Sequence, residues 1–124
     1  MFELVTAISL TDIDFDIIAV SETKIMKDQE PTYDITLPGY KEYATPTESS
    51  KGGVIIYMKD SFDIKRRTDL ETKMYEACQL ESVFVEKMNE KRKNEIYGCI
   101  YRHPTMDVKT FNDKYPRLLP FDTR

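Results

Sequence analysis

Four residues have side chains suited to holding a charged oxygen ligand and sit where a chain could present one. Glu22 closes the apolar run Phe15-Asp16-Ile17-Ile18-Ala19-Val20-Ser21. A carboxylate at a strand end can face a pocket while its backbone stays locked in a sheet, and Mg²⁺ prefers such hard oxygen ligands. Tyr101 closes a second run, Ile96-Tyr97-Gly98-Cys99-Ile100. Its hydroxyl can donate to a phosphate oxygen without adding a charge that competes for a metal. Arg102 follows at once and can fork onto a phosphate or pair with a nearby carboxylate, two uses that the sequence leaves open. Lys51 precedes Gly52-Gly53, where glycine permits unusual torsions and close backbone approach and the lysine can extend toward a nucleic-acid backbone. That spacing is not a P-loop. Glu81, at the head of another strand, is a weaker candidate for orienting a neighbour.

Each residue also has a plainer use. Glu22 can be a solvated strand-end carboxylate with Ser21 capping the next turn. Tyr101 can be an amphipathic rim residue. His103 is the sole histidine and reads as a turn residue in solvent. Cys99 lies inside an apolar run and reads as a small buried hydrophobe, and Cys78 has no neighbouring base. Two unspaced cysteines make neither a metal site nor a disulfide framework.

The elements that must position these groups alternate without repeating. Residues 2–10 suggest a short amphipathic helix. Residues 14–20 read as a strand buried on both faces, because no polar face is left. Leu37-Pro38-Gly39 turns the chain into a short strand through Tyr43. Val54 to Met58 is a second buried strand, and a turn at Lys59-Asp60-Ser61 leads to an exposed partner over 62–67. Strands follow at 81–86 and 96–101, and Val108, Phe111, Tyr115 and Leu118 have helical spacing over 107–118. The pattern predicts an α/β (α+β) layered fold.

The chain has 124 residues, 40% hydrophobic and 32% charged, which is one globular domain's worth of sequence. Its apolar runs are too short to span a bilayer, and Met1-Phe2-Glu3-Leu4 lacks the basic start of a secretory signal, so an intracellular location, cytoplasmic or nuclear, and no membrane partner are expected. A net charge of −4 argues against holding nucleic acid mainly by long-range attraction. Two local basic clusters, Lys65-Arg66-Arg67 and the group Lys87, Lys91, Arg92 and Lys93, fall where strands should turn and read as solvated loops.

Taken in order, Ile18-Ala19-Val20-Ser21-Glu22-Thr23, Lys51-Gly52-Gly53-Val54-Ile55 and Ile100-Tyr101-Arg102-His103-Pro104 resemble the DNase I-like endonuclease/exonuclease/phosphatase family, most closely the endonuclease domains of LINE-type (non-LTR) retrotransposons. The resemblance runs from about 14 to about 112 and divides the chain into a truncated domain, 1–115, and a divergent tail, 116–124. It implies a partial four-layer α/β/β/α sandwich, mainly one mixed sheet with flanking helices. It also implies that Glu22 binds a catalytic Mg²⁺ (or Mn²⁺), that Tyr101 holds the scissile phosphate, that Lys51 and Arg102 contact substrate, and that the complete domain's partner is DNA. The position of His103 between Arg and Pro is a variable one in that motif.

The family draws its general base and further ligands from an early Asn, a Gly-Asp-Phe-Asn segment and a closing Ser-Asp-His, none of which occurs in these 124 residues. The expectation is therefore a fragment, about half of a sandwich, inactive alone and prone to self-association through an uncovered sheet face. The alternatives are a non-catalytic remnant serving as an interaction module, or a phosphatase-type member of the same family.

Overall fold

A computed structural model describes residues 14–26, 35–47, 52–78, 80–102 and 109. Lys51, His103, the helix expected over 2–10, nearly all of that expected over 107–118, the 116–124 tail and the side chain of Cys78 lie outside the described residues.

The longest uninterrupted apolar segment forms the centre of the first sheet. Strand β3 (Val54–Lys59) pairs antiparallel on one side with β1 (Ile17–Ser21) and on the other with β2 (Tyr40–Thr45). Alternation along β3 sends Val54, Ile56 and Met58 to one face and Ile55 and Tyr57 to the other, and all five are buried. The outer face is covered by Ile25, Ile35 and Leu37, with the Tyr57 hydroxyl donating to the Ile35 carbonyl at 2.6 Å.

The second sheet has the order β4 (Ile64–Arg66), β5 (Glu81–Lys87), β6 (Glu95–Tyr101), again antiparallel. Val83 and Val85 of β5 and Cys99 and Tyr101 of β6 pack with Tyr43, Val54, Ile56 and Met58 in one cluster. The two sheets thus face each other across a shared core. A helix, α1 (Thr68–Cys78), lies against β5 on the far side. The architecture is mixed α+β, built mostly of antiparallel strands.

Three expectations change. The described strands form two antiparallel sheets, not mainly one mixed sheet, because every described connection between paired neighbours reverses direction. The inner face expected to lie bare is covered, since each sheet supplies the other's partner. Strand β1 is apolar on both faces as expected, Ile17 toward the second sheet and Ile18 and Val20 toward the outer cluster, yet Ala19 and Ser21 are exposed. Among the described residues it pairs only with β3, and a continuous apolar run does not distinguish an edge strand from a central one.

Helix α1 is absent from the sequence-based expectation. Its signature is Thr68-Asp69-Leu70-Glu71, the capping-box pattern, with Asp69 and Glu71 placed favourably for the helix dipole. Glu71 does not turn back to cap. It accepts both Arg66 Nε (3.1 Å) and Arg66 Nη2 (2.8 Å) and also the Phe84 amide (3.3 Å). Arg66 Nη2 further donates to the Ala44 carbonyl, and the Thr45 hydroxyl donates to the Ser82 carbonyl at 2.8 Å, so this network ties the first sheet to the second. Arg67 is paired with Asp69 and Glu86. Two of the three cations in the first basic cluster are therefore structural. The second cluster lies largely on the β5–β6 hairpin, where Asn89 and Asn94 order the turn by bonding Lys93, Glu95 and Glu86.

Candidate functional site

The site lies at one end of both sheets. Strands β1 and β6 arrive there by their C-terminal ends, bringing Glu22 and Tyr101, and β3 and β5 leave from it by their N-terminal ends, bringing Gly52-Gly53 and Glu81. Glu22 and Tyr101 belong to different sheets, contrary to the expectation of one shared sheet. They meet because the sheets pack face to face and β1 lies against β6, where the Cys99 thiol sits 3.7 Å from the Val20 carbonyl.

Local backbone geometry shapes the Glu22 turn. Beyond β1 the chain enters the left-handed region at Glu22 (φ 56) and again at Lys24 (φ 60). Non-glycine residues adopt this conformation at a cost, and it persists only where surroundings hold it. The holding groups are glycines: Thr23 N–H donates to the Gly53 carbonyl at 3.2 Å and Lys24 N–H to the Gly52 carbonyl at 2.8 Å. Gly52 (φ 107) and Gly53 (φ 89) are themselves left-handed, and a Cβ on Gly53 would overlap the Thr23 hydroxyl.

Tyr101 is buried, and Glu81 stands directly across from it in the β5–β6 register. Burial pushes the Tyr101 phenol above its ordinary pKa; the Glu22 carboxylate, by charge and by hydrogen bonding, and the Glu81 charge push the same way, while Arg102 opposes them. The phenol is thus held protonated between two carboxylates and a guanidinium. A phenol can donate a hydrogen bond, and the Glu22 carboxylate lies close enough to raise its pKa. Glu22 is exposed, Glu81 and Arg102 are half-buried, and Glu81 Oε1 accepts the Gly53 amide at 3.2 Å.

The structure therefore brings together Glu22, Tyr101, Arg102 and Glu81. Lys51 is next in sequence to this rim and outside the described residues. Cys99 is buried, which pushes its thiol pKa up, and it packs in the core. Thr23 was not singled out by its sequence; its hydroxyl fits against Gly53 and accepts the Ile25 amide, and only the adjoining Glu and the distant Gly-Gly pair hint at it.

The Glu22 carboxylate is a hard oxygen ligand of the kind Mg²⁺ takes when it keeps several waters and binds through one or two carboxylates plus a phosphate. Among the described residues no group of three or more His, Cys, Asp or Glu side chains is arranged to hold a metal. Among the same residues no helix is long and apolar enough to cross a membrane. No protein-family model, curated protein or solved structure matches the chain.

Proposed function

We propose that this chain is part of a Mg²⁺-dependent phosphodiester hydrolase acting on DNA, of the kind found in the non-LTR retrotransposon endonucleases it resembles, and that it supplies the phosphate-holding side of the site without hydrolysing DNA alone. The observation that carries the reading is that the Glu22 turn and Tyr101, distant in sequence and from different sheets, come together at the Gly52-Gly53 turn, with Glu81 beside them. Two facing sheets with a helix outside are in keeping with part of an α/β/β/α sandwich.

In this reading Glu22 is the metal ligand, and Glu81, bound to the Gly53 amide, orients its neighbours. The metal, when bound, would neutralise charge on the phosphate. Tyr101 donates a hydrogen bond to a phosphate oxygen. Arg102 adds a charge-assisted contact, and the resemblance assigns Lys51, outside the described residues, a contact with substrate.

Two assays test this. With Mg²⁺, the chain is expected to nick supercoiled plasmid no faster than its Glu22→Gln variant. It is also expected to bind a short DNA duplex in a Mg²⁺-dependent manner, measured by fluorescence anisotropy, with Glu22→Gln and Tyr101→Phe each weakening that binding. Binding indifferent to Mg²⁺ and to both substitutions would reject the proposal and leave the interaction-module alternative.

A further inference from the structure

Glu81 contacts the Gly52-Gly53 turn and stands opposite Tyr101. Its Oε1 accepts the Gly53 amide, and the same oxygen occupies the space a Cβ on Gly52 would need. It faces Tyr101 in the β5–β6 ladder, and the Tyr101 ring lies just beyond it, with Cδ1 at 3.1 Å from that Cβ position. The Gly52 and Gly53 carbonyls in turn hold the amides of Lys24 and Thr23. A chain of contacts therefore runs from Glu81 through the Gly-Gly turn to the left-handed turn that carries Glu22, while the register sets Tyr101 opposite the same carboxylate.

We infer that Glu81 is a positioning residue that joins the two halves of the site, fixing the Glu22 turn of the first sheet against Tyr101 of the second. This rests on the reading in which Glu22 and Tyr101 share one phosphate. The physical reason is that the two sheets are separate hydrogen-bonded ladders, so nothing in either ladder sets the distance between Glu22 and Tyr101. A carboxylate reaching from β5 to the backbone at the head of β3 supplies that link.

The length and charge of the side chain make separable predictions. Glu81→Gln keeps an oxygen that can accept the Gly53 amide and removes only the charge. Glu81→Asp keeps the charge and shortens the reach by one methylene. Glu81→Ala removes both.

The test is amide NMR on the full chain, with Mg²⁺-dependent duplex binding followed by anisotropy. Glu81→Asp and Glu81→Ala are expected to move the amides of 22–24 and 52–53 while those of 95–97, at the far end of β6, stay in place. Glu81→Gln is expected to leave 22–24 in place. Losses of outer contacts around a metal typically cost about 10–100-fold in affinity, so Asp and Ala are expected to weaken duplex binding by about tenfold, with Gln restoring most of it.

If Glu81→Ala does not fold, Glu81→Asp carries the same readout. Unmoved amides at 22–24 in a folded Asp or Ala variant would overturn the inference, as would a Gln variant that behaves like Ala. If the wild-type chain shows no Mg²⁺-dependent binding, the phosphodiesterase reading falls while the amide shifts still decide the positioning role.

Discussion

Replacing Gly52 with alanine should be far more costly than a surface glycine substitution, and the excess can be assigned to one contact. Two costs apply. The backbone at Gly52 has φ 107, where an L-residue is strained by about 1–2 kcal/mol. The new methyl also overlaps Glu81 Oε1 and presses on Tyr101 Cδ1 at 3.1 Å. The carboxylate is the far end of a flexible side chain and can swing away, but it then abandons the Gly53 amide, a charge-assisted bond worth about 1.5–3 kcal/mol. The sum is about 2.5–5 kcal/mol. Gly39 provides the control, because its φ is 86 but nothing lies within 4 Å of its Cβ position. Gly39→Ala should therefore cost only the strain of about 1–2 kcal/mol. Urea denaturation followed by far-ultraviolet circular dichroism measures both, with equal m-values required for the comparison. In the double variant Gly52→Ala/Glu81→Ala the overlap is gone, so its cost should fall short of the sum of the single costs by about 1.5–3 kcal/mol. Equal costs for Gly52→Ala and Gly39→Ala, or strict additivity in the cycle, would refute the close approach of Glu81 to the Gly-Gly turn.

Other predictions bear on the phenol, the core and the acid–base behaviour. Glu22→Gln removes a negative charge near Tyr101 and should lower that phenol's pKa, read by its ultraviolet titration; no shift would place Glu22 away from it. Ile56, buried between the sheets, should cost about 2–5 kcal/mol when cut to alanine, and the wild-type chain should melt as a monomer in one cooperative step; dye binding or aggregation of the native chain would contradict a closed inter-sheet core. Stability should fall at both pH extremes. Asp69 is held at about 2, first by its hydrogen bond from Arg67, so its stabilisation is complete above about 3.8 and is lost as pH drops through about 2. Tyr43, Tyr97 and Tyr101 are raised above 10.0, so their stabilisation is complete below about 10 and is lost as pH rises through the raised values. Denaturation midpoints measured across pH check both directions, and a midpoint that climbs above pH 10 would contradict the second.

Strand identity was legible because period and composition are local properties: Val54 to Met58 reads as a buried strand in any sheet, and the Pro38-Gly39 turn announces β2. What the sequence did not reveal was which sheet each strand joins. The pairing of β5 with β4 and β6, and the packing of Val83 and Cys99 on Ile56, depend on long-range contacts that no window of residues contains. Helix α1 escaped notice because the Thr68–Glu71 pattern is short and its carboxylate serves Arg66. At the site, strand-end placement made Glu22 and Tyr101 visible, and Gly52-Gly53 advertised unusual torsions. The left-handed backbone at Glu22 and Lys24 left no mark, since neither residue type favours it. The clusters at 65–67 and 87–93 looked alike in sequence, yet Arg66 and Arg67 are engaged by carboxylates supplied from α1 and β5, whereas in the second cluster Arg92 pairs locally with Glu95 and Lys87 lies over the Phe62 ring.

Glu22 and Tyr101 are proposed to form one metal- and phosphate-binding site at the shared end of the two sheets. Titrating the ¹⁵N-labelled chain with Mn²⁺ tests this most directly, because the paramagnetic ion broadens amide resonances near where it binds. Selective broadening is expected at 21–23, 52–53, 81 and 101–102, competed by Mg²⁺ and abolished by Glu22→Gln. Broadening centred on Asp14 and Asp16 at the opposite end of β1, or broadening that survives Glu22→Gln unchanged, would contradict it.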